Sequence, residues 1–133
     1  MTGVVSALLF AEDGRVLFGL RASWKKLWPN QWDSIGGHIE EDETPEETLL
    51  REVREEIGVT PTRWHRLTTL WDPTDPPIEN HLFVVTQWAG GEPRMTCDEH
   101  SELRWFTVSE LAALPDLVPC GYPDLIARHH LSA

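Results

Sequence analysis

The chain has 133 residues, enough for one domain with a buried core, and a single domain over residues 1–133 is expected. Its apolar content of 41% and charged content of 25% are ordinary for a soluble globular protein, and no run approaches the roughly 20 apolar residues of a membrane span. A formal net charge of −11 argues against a nucleic-acid polymer as partner, because a phosphate backbone needs a basic footprint. It leaves room for a small phosphorylated ligand, provided cations stand between the two negative sets. No signal-peptide pattern is visible, so a cytoplasmic protein is expected. Cys97 and Cys120 form no C-x-x-C pair and are expected as buried or free thiols.

In chain order, residues 4–10 predict a buried strand. Glu12-Asp13-Gly14 predicts a hairpin turn, and residues 16–20 the return strand. Residues 22–31 form a loop carrying Trp24, Lys25, Lys26 and Trp28. A short strand over residues 32–35 delivers Gly36 and Gly37, where glycine lets the backbone approach a ligand closely. A helix is expected over residues 45–57. Thr44 is a good N-cap, Pro45 suits the first position, Glu47 completes a capping box, and Gly58 suits the left-handed stop. Strands are expected over residues 64–71, 81–88 and 102–106, with a proline-rich loop over 72–80 and a Gly-Gly turn over 89–93. Thr107 to Glu110 fits a second capping box, starting a helix to about residue 114. Pro123 starts a last helix ending near His130. This order predicts an α/β fold, with helices packed on a mixed sheet.

The informative stretch runs from Gly37 to Val59. On a helical wheel Leu50, Val53 and Ile57 share one side, with Leu49 on its shoulder, and that side is expected to be buried. Glu52, Glu55 and Glu56 share another arc at i, i+3 and i+4. Each like-charge pair there costs a few tenths of a kcal/mol, so roughly 0.2–0.5, even in water. A solvated acidic face is the bland reading. A seat for a hard divalent cation, which takes oxygen ligands between carboxylates and substrate phosphates, is the sharp one.

The glutamates do not stand alone. Gly37, Glu43, Arg51, Glu52, Val53, Glu55, Glu56, Gly58 and Val59 fill every fixed position of the pattern G-x5-E-x7-R-E-U-x-E-E-x-G-U, where U is a bulky aliphatic. In this the chain resembles the Nudix hydrolases of the MutT-like kind. The resemblance implies an α/β/α sandwich with a mixed β-sheet. It implies Mg²⁺-dependent hydrolysis, with Mn²⁺ as a substitute, of a diphosphate linkage in a nucleoside diphosphate linked to some group X. Chain length favours nucleoside triphosphates, oxidised ones included, as substrates. ADP-ribose or another nucleotide sugar is the alternative, and a non-catalytic nucleotide-binding or sensor module the alternative of another class. Homodimers are common in the family.

The resemblance also implies roles. Glu52, Glu55, Glu56 and the carbonyl of Gly37 are candidate metal ligands, with Glu52 and Glu56 the firmest. Glu43 and Arg51 form a clamp between loop and helix, although Arg51 also faces Glu55 at i+4. The general base is a motif glutamate, Glu52 or Glu55, or a later acid, for which Glu99 is the candidate; His100 in the same loop reads as a bystander. Arg21 is a candidate for the substrate phosphates. Trp28 and Trp32 are candidates for stacking on the nucleobase. Residues 21–40 also resemble isopentenyl diphosphate isomerase, which shares the fold; that chemistry needs further histidine ligands and a catalytic cysteine.

Overall fold

The computed structural model describes residues 3–129. Its elements are β1 (Val4–Leu9), β2 (Val16–Arg21), β3 (Trp32–Asp33), β4 (Ile35–His38), α1 (Pro45–Ile57), β5 (Thr60–Asp72), β6 (Ile78–Ala89), β7 (His100–Phe106), α2 (Val108–Ala112) and α3 (Tyr122–His129). The expected end of the last helix at His130 lies outside the described residues. No described helix is long and apolar enough to cross a membrane.

The strands form two sheets. One has the order β4-β1-β6-β5 and is mixed, with β1 and β6 parallel; the other has the order β3-β2-β7 and is antiparallel. The turn after β1 forms, with Gly14 at φ 89 and Ala11 N donating to Arg15 O at 2.8 Å. The expected β1–β2 hairpin does not. Past a single bridge between Phe10 and Val16 the strands part, and each becomes the centre of its own sheet. The reason is burial: both runs are apolar on successive residues, so each needs cover on both faces. Similarly, the expected strand over 32–35 splits at Ser34, with β3 in one sheet and β4 in the other. The proline-rich loop shortens to residues 73–77, because Asp72 and Asn80 belong to the long β5–β6 hairpin.

Side-chain alternation sorts the core into two halves. Val5, Ala7 and Leu9 of β1, with Phe83 and Val85 of β6, pack under α1. Leu8, Phe10, Leu82 and Val84 face the other way, against Phe18, Leu111, Tyr122 and Ile126. Helices thus cover both sides, giving three α/β/α layers. α1 spans the expected residues, with a complete Thr44/Glu47 capping box and Gly58 in the left-handed conformation. Its buried stripe is rotated from expectation. Leu49, Val53 and Ile57 are fully buried and Leu50 is half-buried. That rotation carries Thr48 and Glu56 inward as well.

Candidate active site

β4 leads directly into the loop before α1, and the two glycines of β4 fit its close surroundings. A Cβ on Gly36 would overlap the Val5 carbonyl of β1, and one on Gly37 would overlap the Glu52 carboxylate. Arg51 fastens this corner. Its guanidinium donates to both oxygens of Glu43 at 2.6 and 2.9 Å, to the His38 carbonyl at 3.1 Å, to Glu52 at 2.6 Å and to Glu55 at 3.2 Å. Glu43 also accepts from Thr48 Oγ1 and from the Glu40 amide. The Arg51 hydrogen bonds, with these, hold the Glu43 carboxyl down at about 2. The choice left open by sequence resolves into a fork: Arg51 grips Glu43 with two bonds and reaches Glu52 and Glu55 with one nitrogen.

The three helix glutamates are not equivalent. Glu55 is 58% exposed and turns to Arg51 and solvent. Glu52 is 12% exposed and lies beside Glu56, which is 2% exposed. Glu56 Oε1 meets His100 Nε2 at 2.8 Å, while Oε2 is buried with no partner. Burial first, then the neighbouring Glu52 carboxylate, pushes the Glu56 carboxyl well above its usual range. A carboxylate pair pressed together, with one oxygen orphaned, requires either a proton or a cation. Among the described residues no three His, Cys, Asp or Glu side chains converge into a ready-made ligand cluster. The Glu52–Glu56 pair is nonetheless chemically suited to a hard divalent ion, with the Gly37 backbone against it.

His100 is no exposed bystander. It opens β7, is 8% exposed, and burial lowers its imidazole to about 4, so it is neutral at pH 7. The preceding loop is docked on the end of α1, with Arg94 N on Ile57 O and Thr96 N on Glu56 O. Glu99 is 41% exposed and accepts from Lys25 Nζ at 2.7 Å.

From Glu56 of the acidic pair a cleft runs to a buried polar end made by β1, β3, β5, β6 and the start of α3 with the residues just before it. The Tyr122 hydroxyl, deep in the core, is 3.1 Å from both Ser6 Oγ and Ser34 Oγ. The Asp33 carboxylate accepts from the Ser34 amide at 2.7 Å and from Arg21 at 3.3 Å. Burial outweighs these and raises Asp33 to about 6. Asp72 accepts from Asn80 Nδ2 at 3.0 Å and is also raised by burial; Cys120 beside it is pushed up by burial and by both aspartates. Sequence reasoning missed this end. The available signals were faint: a lone Ser6 within an apolar strand, Asn80 before an apolar run, and the single tyrosine.

Arg21 lines the cleft, with Nε held by the Leu27 carbonyl at 2.8 Å. Trp28 also lines it, with φ at 49. Trp32 does not. It is 4% exposed, packs edge-on against Phe106 at 5.0 Å, and carries Arg104 over its ring at 5.2 Å. The expected stacking role for Trp32 gives way to a core role, because β3 points that ring between the sheet and α2 rather than into the cleft.

Residues 2–127 match the family described as NUDIX domain, and the chain belongs to the Nudix hydrolase family. It is 47% identical over 86 residues to the isopentenyl-diphosphate Delta-isomerase of Salmonella paratyphi B, a match covering 60% of this chain and 47% of that protein. The chain thus spans about half the length of the curated relatives it matches. Among solved structures, the E. coli ORF135 protein is 29% identical with a TM-score of 0.79, over 100% of this chain and 91% of that one. The MutT protein of Methanosarcina mazei Go1 is 23% identical with a TM-score of 0.80, over 97% and 92%. The NUDIX domain of Shewanella oneidensis NrtR, solved with ADP ribose, is 21% identical with a TM-score of 0.79, over 96% and 86%. The last two show the shared fold.

Proposed function

We propose that the chain hydrolyses a diphosphate linkage in a nucleoside diphosphate linked to X. The substrate class is nucleoside triphosphates, oxidised forms included, giving a monophosphate and pyrophosphate. The observation that carries this reading is one cleft with two kinds of end. At one end Glu56, with an orphaned oxygen and Glu52 beside it, forms an acidic seat; at the other, Asp33, Asp72 and Asn80 offer hydrogen-bond acceptors. The first suits a cation that draws in phosphates, and the second suits the N–H donors of a nucleobase.

Mg²⁺, or Mn²⁺ in its place, would be held by Glu52, Glu56 and the Gly37 carbonyl, and would neutralise phosphate charge and make bound water more acidic. The chain's own residues supply the rest. Water oxygen bonds to one phosphorus, the bridging P–O bond breaks, and the bridging oxygen leaves with the other phosphate. The water proton passes to a carboxylate: of the candidates Glu99 lines the cleft, Glu52 lies beside the cleft-lining Glu56, and Glu55 is turned outward. Arg51 keeps Glu52 oriented. Arg21 lines the cleft, braced by its hold on Leu27 and Asp33.

The identity to the isomerase favours a second reading, rearrangement of an isopentenyl diphosphate. That ligand has the phosphates but an apolar tail, which would meet uncompensated aspartates at the buried end. The test is a product assay with Mg²⁺ on nucleoside triphosphates, 8-oxo-dGTP, ADP-ribose and isopentenyl diphosphate. Pyrophosphate released from a triphosphate supports the first reading. Double-bond migration in isopentenyl diphosphate without phosphorus release establishes the second. Activity on ADP-ribose alone keeps the chemistry and changes the substrate.

A further inference from the structure

The acidic cleft has few positive charges to offer a polyphosphate. Arg21 and Lys25 are the arginine and lysine side chains that line it. Arg21 is committed. Its Nε holds the Leu27 carbonyl at 2.8 Å and its Nη1 offsets the buried Asp33 carboxylate at 3.3 Å. Withdrawing it would leave a buried charge uncompensated, which is costly. Lys25 is held more lightly. Its ammonium meets Glu99 Oε1 at 2.7 Å in a pair whose side chains are 20% and 41% exposed. Pairs this open to water contribute little and are readily exchanged.

The backbone around the pair is already fixed. Ala22 N donates to Glu99 O at 2.9 Å, and Arg21 and residues 30–31 tie the loop's ends together through Arg21 N to Gln31 O and Asn30 N to Arg21 O. Lys25 can therefore change partner by turning its flexible side chain, with the loop staying in place. A phosphate group carries more negative charge than the Glu99 carboxylate and offers more acceptor oxygens to the three ammonium donors.

We propose that Lys25 exchanges Glu99 for a phosphate group of the substrate, so that phosphate entry itself releases the Glu99 carboxylate into the cleft. This rests on the reading of the site as one for phosphorylated ligands. In the resting cleft Glu99 is held by Lys25. In the occupied cleft it stands free beside the phosphates, where the proton of an attacking water must go. Lys25 is then a substrate contact, and Glu99 is armed only when there is something to hydrolyse.

The probe is inorganic pyrophosphate with Mg²⁺, measured by calorimetry on the whole chain, and by a crystal structure of that complex. Lys25→Met is expected to weaken binding about tenfold, and Lys25→Arg to keep most of it. Glu99→Gln, which removes the competing partner, is expected to tighten binding about threefold. The structure is expected to show the Lys25 ammonium on a phosphate oxygen and no longer on Glu99. Thermal melts check that each variant is folded. Wild-type affinity in Lys25→Met, or a bound structure with Lys25 still on Glu99, overturns the exchange alone. Wild-type protein that binds no pyrophosphate overturns the reading of the site as well.

Discussion

The two ends of the cleft are made from opposite kinds of sequence. The acidic end comes from one continuous stretch, Gly37 to Glu56, in which a strand, a loop and a helix follow each other directly. The polar end joins residues as distant as Ser6 and Tyr122, whose hydroxyls meet across 116 positions. The acidic end grades from the exposed Glu55 to the buried Glu56, and a shared arginine holds Glu43, Glu52 and Glu55. The polar end is buried and holds its charges against their preference, with Asp33 raised to about 6 and Asp72 raised as well. A local stretch can announce chemistry, because its spacing fixes which side chains share a face. A pocket assembled from five elements announces only that some strands carry an odd polar residue.

The largest expected effect is at the acidic end. Glu52→Gln or Glu56→Gln should lower turnover about a thousandfold, since each removes an anionic ligand for the cation that would neutralise the phosphates. Glu56→Gln should at the same time leave the metal-free fold as stable as before or more so, because it relieves a buried, crowded carboxylate. Calorimetric melting beside the turnover assay checks both. Next comes a substitution that touches neither end. Trp32→Ala should cost about 3–5 kcal/mol of stability, as core truncations of this size do. Trp28→Ala should barely move the melting point and should raise KM a few-fold, about 1 kcal/mol for a partly exposed aromatic contact. Equal stability losses in the two variants would erase the distinction between core and cleft tryptophans.

Arg51→Ala tests whether the acidic end is one clamped unit. It should cost about 2 kcal/mol of stability, because Glu43 and the His38 carbonyl lose their donors together. Turnover should fall about tenfold through a loosened Glu52. Unchanged melting and unchanged metal affinity would remove the clamp from the account.

The smallest effect sharpens the polar end. Burial raises the Asp33 carboxyl to about 6, above the usual carboxylate range. A raised carboxyl stabilises the fold fully below its unfolded value and loses that contribution as pH rises through its folded one. Metal-free protein should therefore lose on the order of 2 kcal/mol between about pH 4 and pH 6 from this group. Asp33→Asn should flatten that part of the profile in urea titrations taken at half-unit pH steps. A wild-type profile already flat there would mean that Arg21 and the Ser34 amide compensate the burial in full.

The same contrast explains what was legible in the sequence. The helix from Pro45 to Ile57, both of its caps and the Arg51–Glu43 pairing follow from residues a few positions apart. The rotation of its buried stripe toward Leu49 and Glu56 did not, because the packing of Val53 against the sheet sets that angle. Nor did the parting of β1 and β2, where a sound turn signal competed with the demand of both strands for cover on two faces. His100 read as a loop residue because nothing local ties it to Glu56, its partner 44 positions earlier. Trp32 and Trp28 have the same composition signal and opposite placements, which only the sheet decides.

The central claim is that Glu52 and Glu56, and not the whole glutamate arc, form the cation seat. Its most direct test is Mn²⁺ binding followed by electron paramagnetic resonance in the wild type and in Glu52→Gln, Glu55→Gln and Glu56→Gln. The account predicts binding weakened at least about tenfold in the Glu52 and Glu56 variants and nearly unchanged in the Glu55 variant. Full affinity in Glu56→Gln, or a loss in Glu55→Gln as large as in the other two, would contradict it.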